Sequence, residues 1–187
     1  MTATPEDYSD GELAALALAG RQSAYRDLMD RHRASVFRMI RNTVNNSDDA
    51  VDLTQDTFVA AFAALKSFDT ARAFRPWILR IALNKCRDWG RRRAVRHFFA
   101  FAQPLETAVA LRDQSVPADQ ALSDRDDLQR VSAAIAALPR AIREPLVLRA
   151  VEGLSQAQAA IVLGISQKAV ETRVHRARTQ LAAVLRD

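Results

Sequence analysis

Residues 155–178, SQAQAAIVLGISQKAVETRVHRAR, decide the fold of the C-terminal part of the chain. Ser155 followed three residues later by Gln158 is a capping box, which predicts the start of a short helix. Gly164 predicts the end of that helix, and Ser166 predicts the cap of a second helix. The predicted buried stripe of the second helix is Val170, Val174, Ala177 and Leu181. Two short helices joined by a glycine-containing turn, the second of them basic, are typical of a helix-turn-helix, whose second helix enters the major groove of DNA.

Charge is distributed in blocks along the chain, although the net charge is only +5. Residues 87–96 hold five arginines against one aspartate, and residues 166–186 hold five basic residues against one glutamate. Residues 104–127 hold six acidic residues against two arginines. Clustered arginine is the electrostatic signature of a protein that binds polyanions, and a solvated helix face is the alternative.

The acidic stretch predicts the domain organisation. It contains Pro104 and Pro117, lacks sustained helical periodicity at its centre and is longer than the usual connection within a compact domain. We therefore expect an all-α protein of two small helical domains, residues 1–103 and 123–187, joined by a flexible acidic linker at residues 104–122, with the helix-turn-helix in the second domain. Few glycines and prolines, and no alternating run typical of a strand, favour helix throughout.

Composition excludes several classes of protein. No apolar run approaches the roughly 20 residues of a membrane-spanning helix, and the acidic N-terminus does not resemble a secretory signal. We therefore expect no membrane insertion and a cytoplasmic location. The single cysteine, Cys86, and three scattered histidines favour neither a disulfide nor a structural metal, so no cofactor is expected.

A helix after residues 46–49 is predicted to carry an acidic patch. Val51, Thr54, Phe58, Ala61, Phe62 and Leu65 mark its apolar face, and Asn46 to Asp49 supply its cap. Asp52 and Asp56, four residues apart, share another face with Gln55. The carboxylates could bind a metal, remain a solvated face or form a docking patch for a partner. No nucleophile, base and orienting group can be assembled around them, so catalysis is disfavoured.

Residues 74–88 combine an aromatic with a ladder of polar and basic side chains. Pro76 fits only the first turn of a helix, and its predicted buried stripe is Ile78, Ile81, Ala82 and Cys86. Trp77 beside Arg80 and Asn84 suits unstacked nucleic acid, because rings stack on bases and cations contact phosphates. Burial of Trp77 in the core is the alternative.

Four segments together resemble the extracytoplasmic-function sigma factors of bacteria: DLTQDTF at residues 52–58, FRPWILRIALN at 74–84, Leu138-Pro139 with Arg143-Glu144, and the helix-turn-helix within 153–178. The resemblance spans nearly the whole chain. It implies an initiation subunit, not itself an enzyme, that binds core RNA polymerase at the clamp and flap and directs it to promoter DNA. It further implies control by an anti-sigma factor. The runner-up is a helix-turn-helix repressor or activator that is not a polymerase subunit, and a remoter rival is a helical enzyme with a metal at Asp52 and Asp56.

The resemblance also implies site residues. The polymerase clamp would be contacted by Asp52, Gln55 and Asp56. The minus-ten element would be opened, and a flipped base captured, by Phe68, Trp77, Arg80 and Asn84. Further contacts with the minus-ten DNA would come from Arg72, Lys85 and Arg91. The minus-thirty-five element would be contacted by Arg149, Ser166, Lys168, Glu171, Thr172, Arg173, His175 and Arg176.

Glu171 departs from the basic residue often present at its position in the family. A carboxylate cannot favourably face a phosphate, so we expect Glu171 either to accept a hydrogen bond from a cytosine amine or to orient Arg178 or His175. Simple neutralisation of excess charge is the remaining alternative.

Overall fold

The computed structural model describes residues 8–101 and 122–185, and every regular element within those ranges is helical. The helices are α1 Asp10–Leu18, α2 Gln22–Val44, α3 Ser47–Ala63, α4 Phe74–Phe101, α5 Leu122–Ala137, α6 Arg140–Leu146, α7 Gln156–Leu163 and α8 Gln167–Val184. A 3-10 turn, Leu65–Ser67, follows α3, and a π-helical turn, Val147–Val151, follows α6. The all-α expectation is confirmed. The predicted linker lies outside the described residues, apart from Leu122.

The N-terminal half is a bundle in which α2 packs against α1, α3 and α4. Asn45 ends α2 in the left-handed conformation (φ 54°), and the Asn46 side chain accepts a hydrogen bond from the Asp49 amide, so the predicted cap of α3 is confirmed. The predicted apolar face of α3 is buried or partly buried except at Val51, where the prediction is wrong. Val51 is 46% exposed because it lies on the outward side of α3, toward Asp52.

Helix α1 is anchored at its first residue. The Asp10 carboxylate contacts His32 Nε2 at 2.9 Å and Arg31 Nη1 at 3.1 Å, both on α2. The hydrogen bond with His32 is the main reason that the pKa of Asp10 lies below its usual value. These contacts fix the start of α1 against α2.

Helix α4 connects the core to the candidate nucleic-acid surface. Pro76 lies in its first turn, where a missing N–H costs nothing, as predicted. Ile78, Ala82 and Cys86 are buried and Ile81 is partly buried, so the predicted stripe is confirmed. Burial is also the main reason that the pKa of the Cys86 thiol rises to about 12.

The C-terminal half follows the predicted helix-turn-helix. Ser155 and Gln158 form the capping box, Gly164 ends α7 at φ 68°, and Ser166 accepts a hydrogen bond from the Ala169 amide at the start of α8. Its buried apolar side chains include Ile142, Leu146, Leu148, Leu154, Val162, Val170, Val174 and Ala177, and Leu181 is partly buried.

The two halves contact each other. Helix α7 packs against α4, while α5 and the π-helical turn pack against α2. Within the described parts of the chain, no helix combines the length and the apolar character needed to cross a membrane.

Candidate nucleic-acid and protein interfaces

The outer face of α3 is acidic and partly apolar. Asp52, Gln55 and Asp56 are all exposed, and neither aspartate pairs with a cation among the described residues. Val59 lies on the same face, seven residues after Asp52, and is 70% exposed. Val51 lies at the edge of this face. The predicted apolar face of α3 included Val51 and did not include Val59. A surface with unpaired carboxylates and exposed valines can dock a protein partner by charge and by apolar contact.

Three aromatic rings form a cluster where the loop at residues 68–73 enters α4. The Phe68 ring lies 5.2 Å from that of Phe74 and 5.1 Å from that of Trp77, measured between centroids. Phe68 and Phe74 are buried, whereas Trp77 is half-buried. Trp77 therefore packs in the core on one side and reaches the surface on the other. This position is compatible both with burial in the core and with stacking on a base. The structure places Phe68 mainly in the core, with one edge at the adjoining cleft.

The loop before α4 is held by local polar contacts. Asp69 accepts hydrogen bonds from the Ala71 amide at 3.0 Å and from Arg72 Nε at 3.1 Å. The α carbon of Gly11 approaches the same loop so closely that a β carbon there would lie 2.6 Å from the Thr70 carbonyl oxygen. Helix α1 thus supports the backbone of the loop that carries Arg72.

The remaining predicted minus-ten residues lie along α4. Arg80 and Asn84 are exposed and Lys85 is half-buried. Arg91 is exposed and pairs with Asp88 on the same helix. Further along α4, Arg93 stacks over the Trp89 ring, 5.2 Å from its centroid. The structure therefore gives α4 a basic, solvent-facing side next to the aromatic cluster.

A cleft of about 690 Å³ separates this surface from α7. Phe68, Arg72, Trp77 and Arg80 line one side. Gln158 and Ile161 of α7 line the other. Four of the seven predicted minus-ten residues are thus brought together at one cleft, while Asn84, Lys85 and Arg91 lie further along α4.

Helix α8 presents most of its predicted residues to solvent. Ser166, Lys168, Glu171, Thr172, His175 and Arg176 are exposed, whereas Arg173 is half-buried. Arg149 donates a hydrogen bond to the Leu154 carbonyl and lines a groove with Lys168, Glu171, Thr172 and His175. Gln156 and Arg178 also line that groove and were absent from the predicted site. Gln156 joins the two helices by donating to the Gln167 carbonyl at 2.9 Å.

The partner of Glu171 differs from the two that were predicted. Its Oε2 lies 3.1 Å from Lys168 Nζ, and no hydrogen bond or ion pair joins it to Arg178 or His175. The alternative in which Glu171 orients Arg178 or His175 is not observed, because Lys168, three residues earlier on the same helix, holds the carboxylate instead. Glu171 remains exposed on α8 within this pair.

Two arginines of α4 make contacts that the sequence did not reveal. Arg75 pairs with Glu152 at 2.9 Å, and Arg87 pairs with Glu144 at 2.7 Å. Both glutamates belong to the C-terminal half. Among the described residues, no group of three or more histidine, cysteine, aspartate or glutamate side chains is placed to hold a metal ion.

Comparison with known proteins identifies the family. Residues 28–96 match the family Sigma-70 region 2, and residues 128–181 match the family Sigma-70, region 4. The RNA polymerase sigma factor CnrH of Cupriavidus metallidurans is 43% identical over 97% of this chain and 96% of its own length. The ECF RNA polymerase sigma factor SigM of Mycobacterium tuberculosis is 34% identical over 95% of this chain and 85% of its own.

Solved structures share the fold of this chain. CnrH in complex with the cytosolic domain of CnrY matches with a TM-score of 0.71, 38% identity and coverage of 94% of this chain and 96% of that one. RpoE in complex with the anti-sigma factor NepR, from Bartonella quintana, has the same fold, with a TM-score of 0.70 at 24% identity over 87% of this chain and 96% of that one. The chain belongs to the extracytoplasmic-function family of RNA polymerase sigma factors.

Proposed function

We propose that this sigma factor binds core RNA polymerase through the outer face of α3 and contacts promoter DNA through α4 and α8. Residues 1–103 would form the polymerase-binding and minus-ten domain, and residues 123–187 the minus-thirty-five domain, with residues 104–122 between them. In this proposal the chain acts in the cytoplasm and catalyses no reaction itself, because the polymerase performs the chemistry.

The acidic patch on α3 carries the proposal. Unpaired carboxylates repel phosphates, so the outer face of α3 is unsuited to contact with DNA and suited to contact with a protein. A polymerase subunit needs a surface that faces a protein, and Asp52, Gln55 and Asp56 with exposed Val59 supply one. We assign these side chains to contact with the clamp of the largest polymerase subunit. The minus-thirty-five domain would lie at the flap.

We assign the minus-ten contacts to the loop at residues 68–73 and to the exposed side of α4. Extracting a base from a duplex costs a few kcal/mol, and stacking on an aromatic ring returns about 1–3 kcal/mol per base. Trp77 is the half-buried ring available for that stacking, and Phe68 supports it from below. Arg72, Arg80, Lys85 and Arg91 would contact phosphates, while Asn84 would bond to a base edge.

The minus-thirty-five contacts are assigned to α8 and its surroundings. Lys168, Thr172 and His175 lie on the exposed face beside Glu171, and the helix N-terminus at Ser166 favours a phosphate. Arg149 lines the same groove. Exposed Arg176 and half-buried Arg173 would contact the phosphates of the DNA backbone.

Control by an anti-sigma factor is the remaining part of the proposal. The relative CnrH is known in complex with the cytosolic domain of CnrY, and RpoE in complex with the anti-sigma factor NepR. The exposed patch on α3 and the exposed face of α8 are surfaces that such a partner could cover to prevent binding of polymerase and DNA.

Reversing the charge of the α3 patch tests the proposal. Asp52→Lys with Asp56→Lys should weaken binding to purified core polymerase at least about tenfold, because two favourable contacts become repulsive. Stability should change little, since both side chains are exposed and unpaired. Asp30→Lys, an exposed aspartate on α2, is the matched control and should bind normally. Normal core affinity of the double variant, with normal helicity, would contradict the assignment.

A further inference from the structure

A buried histidine links the start of α1 to the core of the N-terminal half. The His32 side chain is only 9% exposed, and its Nε2 lies 2.9 Å from Asp10 Oδ2. Asp10 is the first residue of α1, and its other carboxylate oxygen accepts a hydrogen bond from Arg31 Nη1 at 3.1 Å. A buried polar ring needs a hydrogen-bonding partner, and the carboxylate of Asp10 supplies one. This bond restricts the rotation of the imidazole.

The imidazole of His32 also contacts the aromatic cluster. Its centroid lies 5.0 Å from that of Phe74, and the two ring planes are tilted by 42°. Phe74 is fully buried, and its ring centroid lies 5.2 Å from those of Phe68 and Trp77. Aromatic pairs at such separations have preferred relative orientations, so the orientation of one ring restricts that of the next. The contacts therefore form a continuous path from the carboxylate of Asp10 to the half-buried ring of Trp77.

Helix α1 gives that carboxylate a fixed position. The Ser9 hydroxyl accepts a hydrogen bond from the Glu12 amide, and the Glu12 carboxylate accepts one from the Ser9 amide at 2.7 Å. This capping box holds the first turn of α1. The inner face of α1 is buried at Leu13, Ala14 and Ala17. The first residue of α1 is therefore held by its own helix as well as by α2.

Packing alone does not account for a histidine at position 32. An apolar side chain would fill the space beside Phe74 without the cost of removing a polar group from water. It would, however, form no bond to α1, so its orientation would depend on packing alone. A histidine that is bonded to a carboxylate supplies what an apolar residue does not, which is a ring of fixed orientation.

We propose that His32 and Asp10 are positioning residues for capture of the flipped minus-ten base. Asp10 holds the imidazole of His32 in one orientation, and this ring supports Phe74. Phe74 in turn keeps Trp77 at the angle at which a base can stack on it. Both positioning residues act through Phe74 and not by contact with DNA. The inference rests on the proposed function, which assigns stacking of the base to Trp77.

Positioning of Trp77 should affect the opening of promoter DNA and not its binding as a duplex. The holoenzyme binds duplex promoter before a base leaves the stack, so the orientation of Trp77 does not contribute to that step. Capture of the base comes later. A ring that must be ordered at the moment of capture binds a base less favourably than a preorganised one.

Promoter opening at a series of holoenzyme concentrations separates the two steps, and permanganate footprinting of unpaired thymines measures it. Asp10→Ala and His32→Phe should each lower the limiting rate of opening at least about fivefold, with the half-saturating concentration of holoenzyme unchanged. Asp10→Asn keeps an acceptor for the imidazole and should restore most of the rate. Arg31→Gln is the matched control, because it removes the other ion pair of Asp10, and it should open promoters at the wild-type rate.

A double-mutant cycle tests whether Asp10 acts through His32. In the His32→Phe background, Asp10→Ala should slow opening no further, because the bond through which the carboxylate acts is already lost. Circular dichroism measures the melting temperature of each variant, and opening is measured well below the lowest of these temperatures. Loss of stability alone would then leave the limiting rate unchanged. A normal limiting rate of Asp10→Ala would overturn the positioning role, as would additive effects in the cycle or equal slowing by Arg31→Gln.

Trp77→Leu distinguishes failure of this inference from failure of the proposed function. Leucine keeps a large apolar side chain in the cluster but removes the ring, so this variant should open promoters at least as slowly as His32→Phe. If Trp77→Leu slows opening while Asp10→Ala and His32→Phe do not, the positioning role is overturned and the proposed function stands. If Trp77→Leu opens promoters at the wild-type rate, base capture by Trp77 and its positioning are both overturned.

Discussion

Replacing Gly11 with alanine tests how α1 supports the loop before α4. Alanine favours a helix over glycine by about 1 kcal/mol, so propensity alone predicts stabilisation. The new β carbon would, however, lie 2.6 Å from the Thr70 carbonyl oxygen, a backbone atom that cannot rotate away. Overpacking of this kind costs about 1–3 kcal/mol. We therefore expect Gly11→Ala to be net destabilising.

The start of α1 cannot easily move to relieve the contact. Asp10, the neighbouring residue, is held by Arg31 and His32 on α2. The movement that relieves the contact should therefore occur in the loop around Thr70, next to Asp69 and Arg72. We expect slower opening of promoter DNA by this variant in addition to its lower stability.

Gly90→Ala is the matched control. Gly90 lies within α4, and a β carbon there would meet no atom within 4 Å. The free energy of unfolding of this variant should rise by about 1 kcal/mol, which is the full difference in helix propensity between alanine and glycine. The two alanine variants should thus shift stability in opposite directions.

Thermal and urea denaturation followed by circular dichroism measure both variants. One kcal/mol corresponds to roughly 2–4 °C in Tm for a chain of this size. Gly11→Ala should lower Tm and the urea midpoint, and Gly90→Ala should raise both. A Gly11→Ala protein as stable as the wild type or more so would show that the close approach at Thr70 does not restrict the side chain at this position.

Two further predictions concern DNA. Asn84→Ala should slow formation of the open complex by the holoenzyme, and it should change stability by no more than about 0.5 kcal/mol because Asn84 is exposed. Permanganate footprinting of unpaired thymines measures the rate of opening. A normal rate would count against a role of Asn84 in melting. Glu171→Gln should relax the preference at one position of the minus-thirty-five element by about 1–3 kcal/mol with little change in salt dependence. Holoenzyme binding to single-base promoter variants measures it, and an identical base profile for both proteins rules out direct readout by Glu171.

Local features of the fold could be predicted from sequence because they depend on neighbours. The caps at Asn46, Ser155 and Ser166 each satisfy an amide three residues later, and Gly164 supplies the left-handed end of α7. The place of Pro76 follows from its missing N–H. For each of these residues, the cause of its conformation lies within about one helical turn along the chain.

Contacts between distant segments could not be predicted in the same way. Glu144 and Glu152 are acidic residues that usually lie in water, and nothing near them in the sequence indicates burial. Their partners Arg87 and Arg75 lie 57 and 77 residues away. Only the tertiary structure brings them together, and it also decides that Arg87 contacts a carboxylate.

The candidate site was predictable to the extent that it depends on helical periodicity. That periodicity placed Asp52 and Asp56 on one exposed face, although it assigned Val51 to the core. The partner of Glu171 was missed because several cations lie within reach on α8, and rotamers choose among them. Phe68 was predicted as a base contact, and its burial depends on packing against Phe74, which periodicity does not describe.

Run-off transcription with purified core polymerase and genomic promoter fragments tests whether this chain directs the polymerase to promoters. We expect discrete transcripts that appear only when this chain is added and that are lost when it carries Asp52→Lys and Asp56→Lys. Binding of the chain to promoter duplexes as a dimer without core polymerase, together with no transcript from the reconstituted mixture, would contradict this expectation.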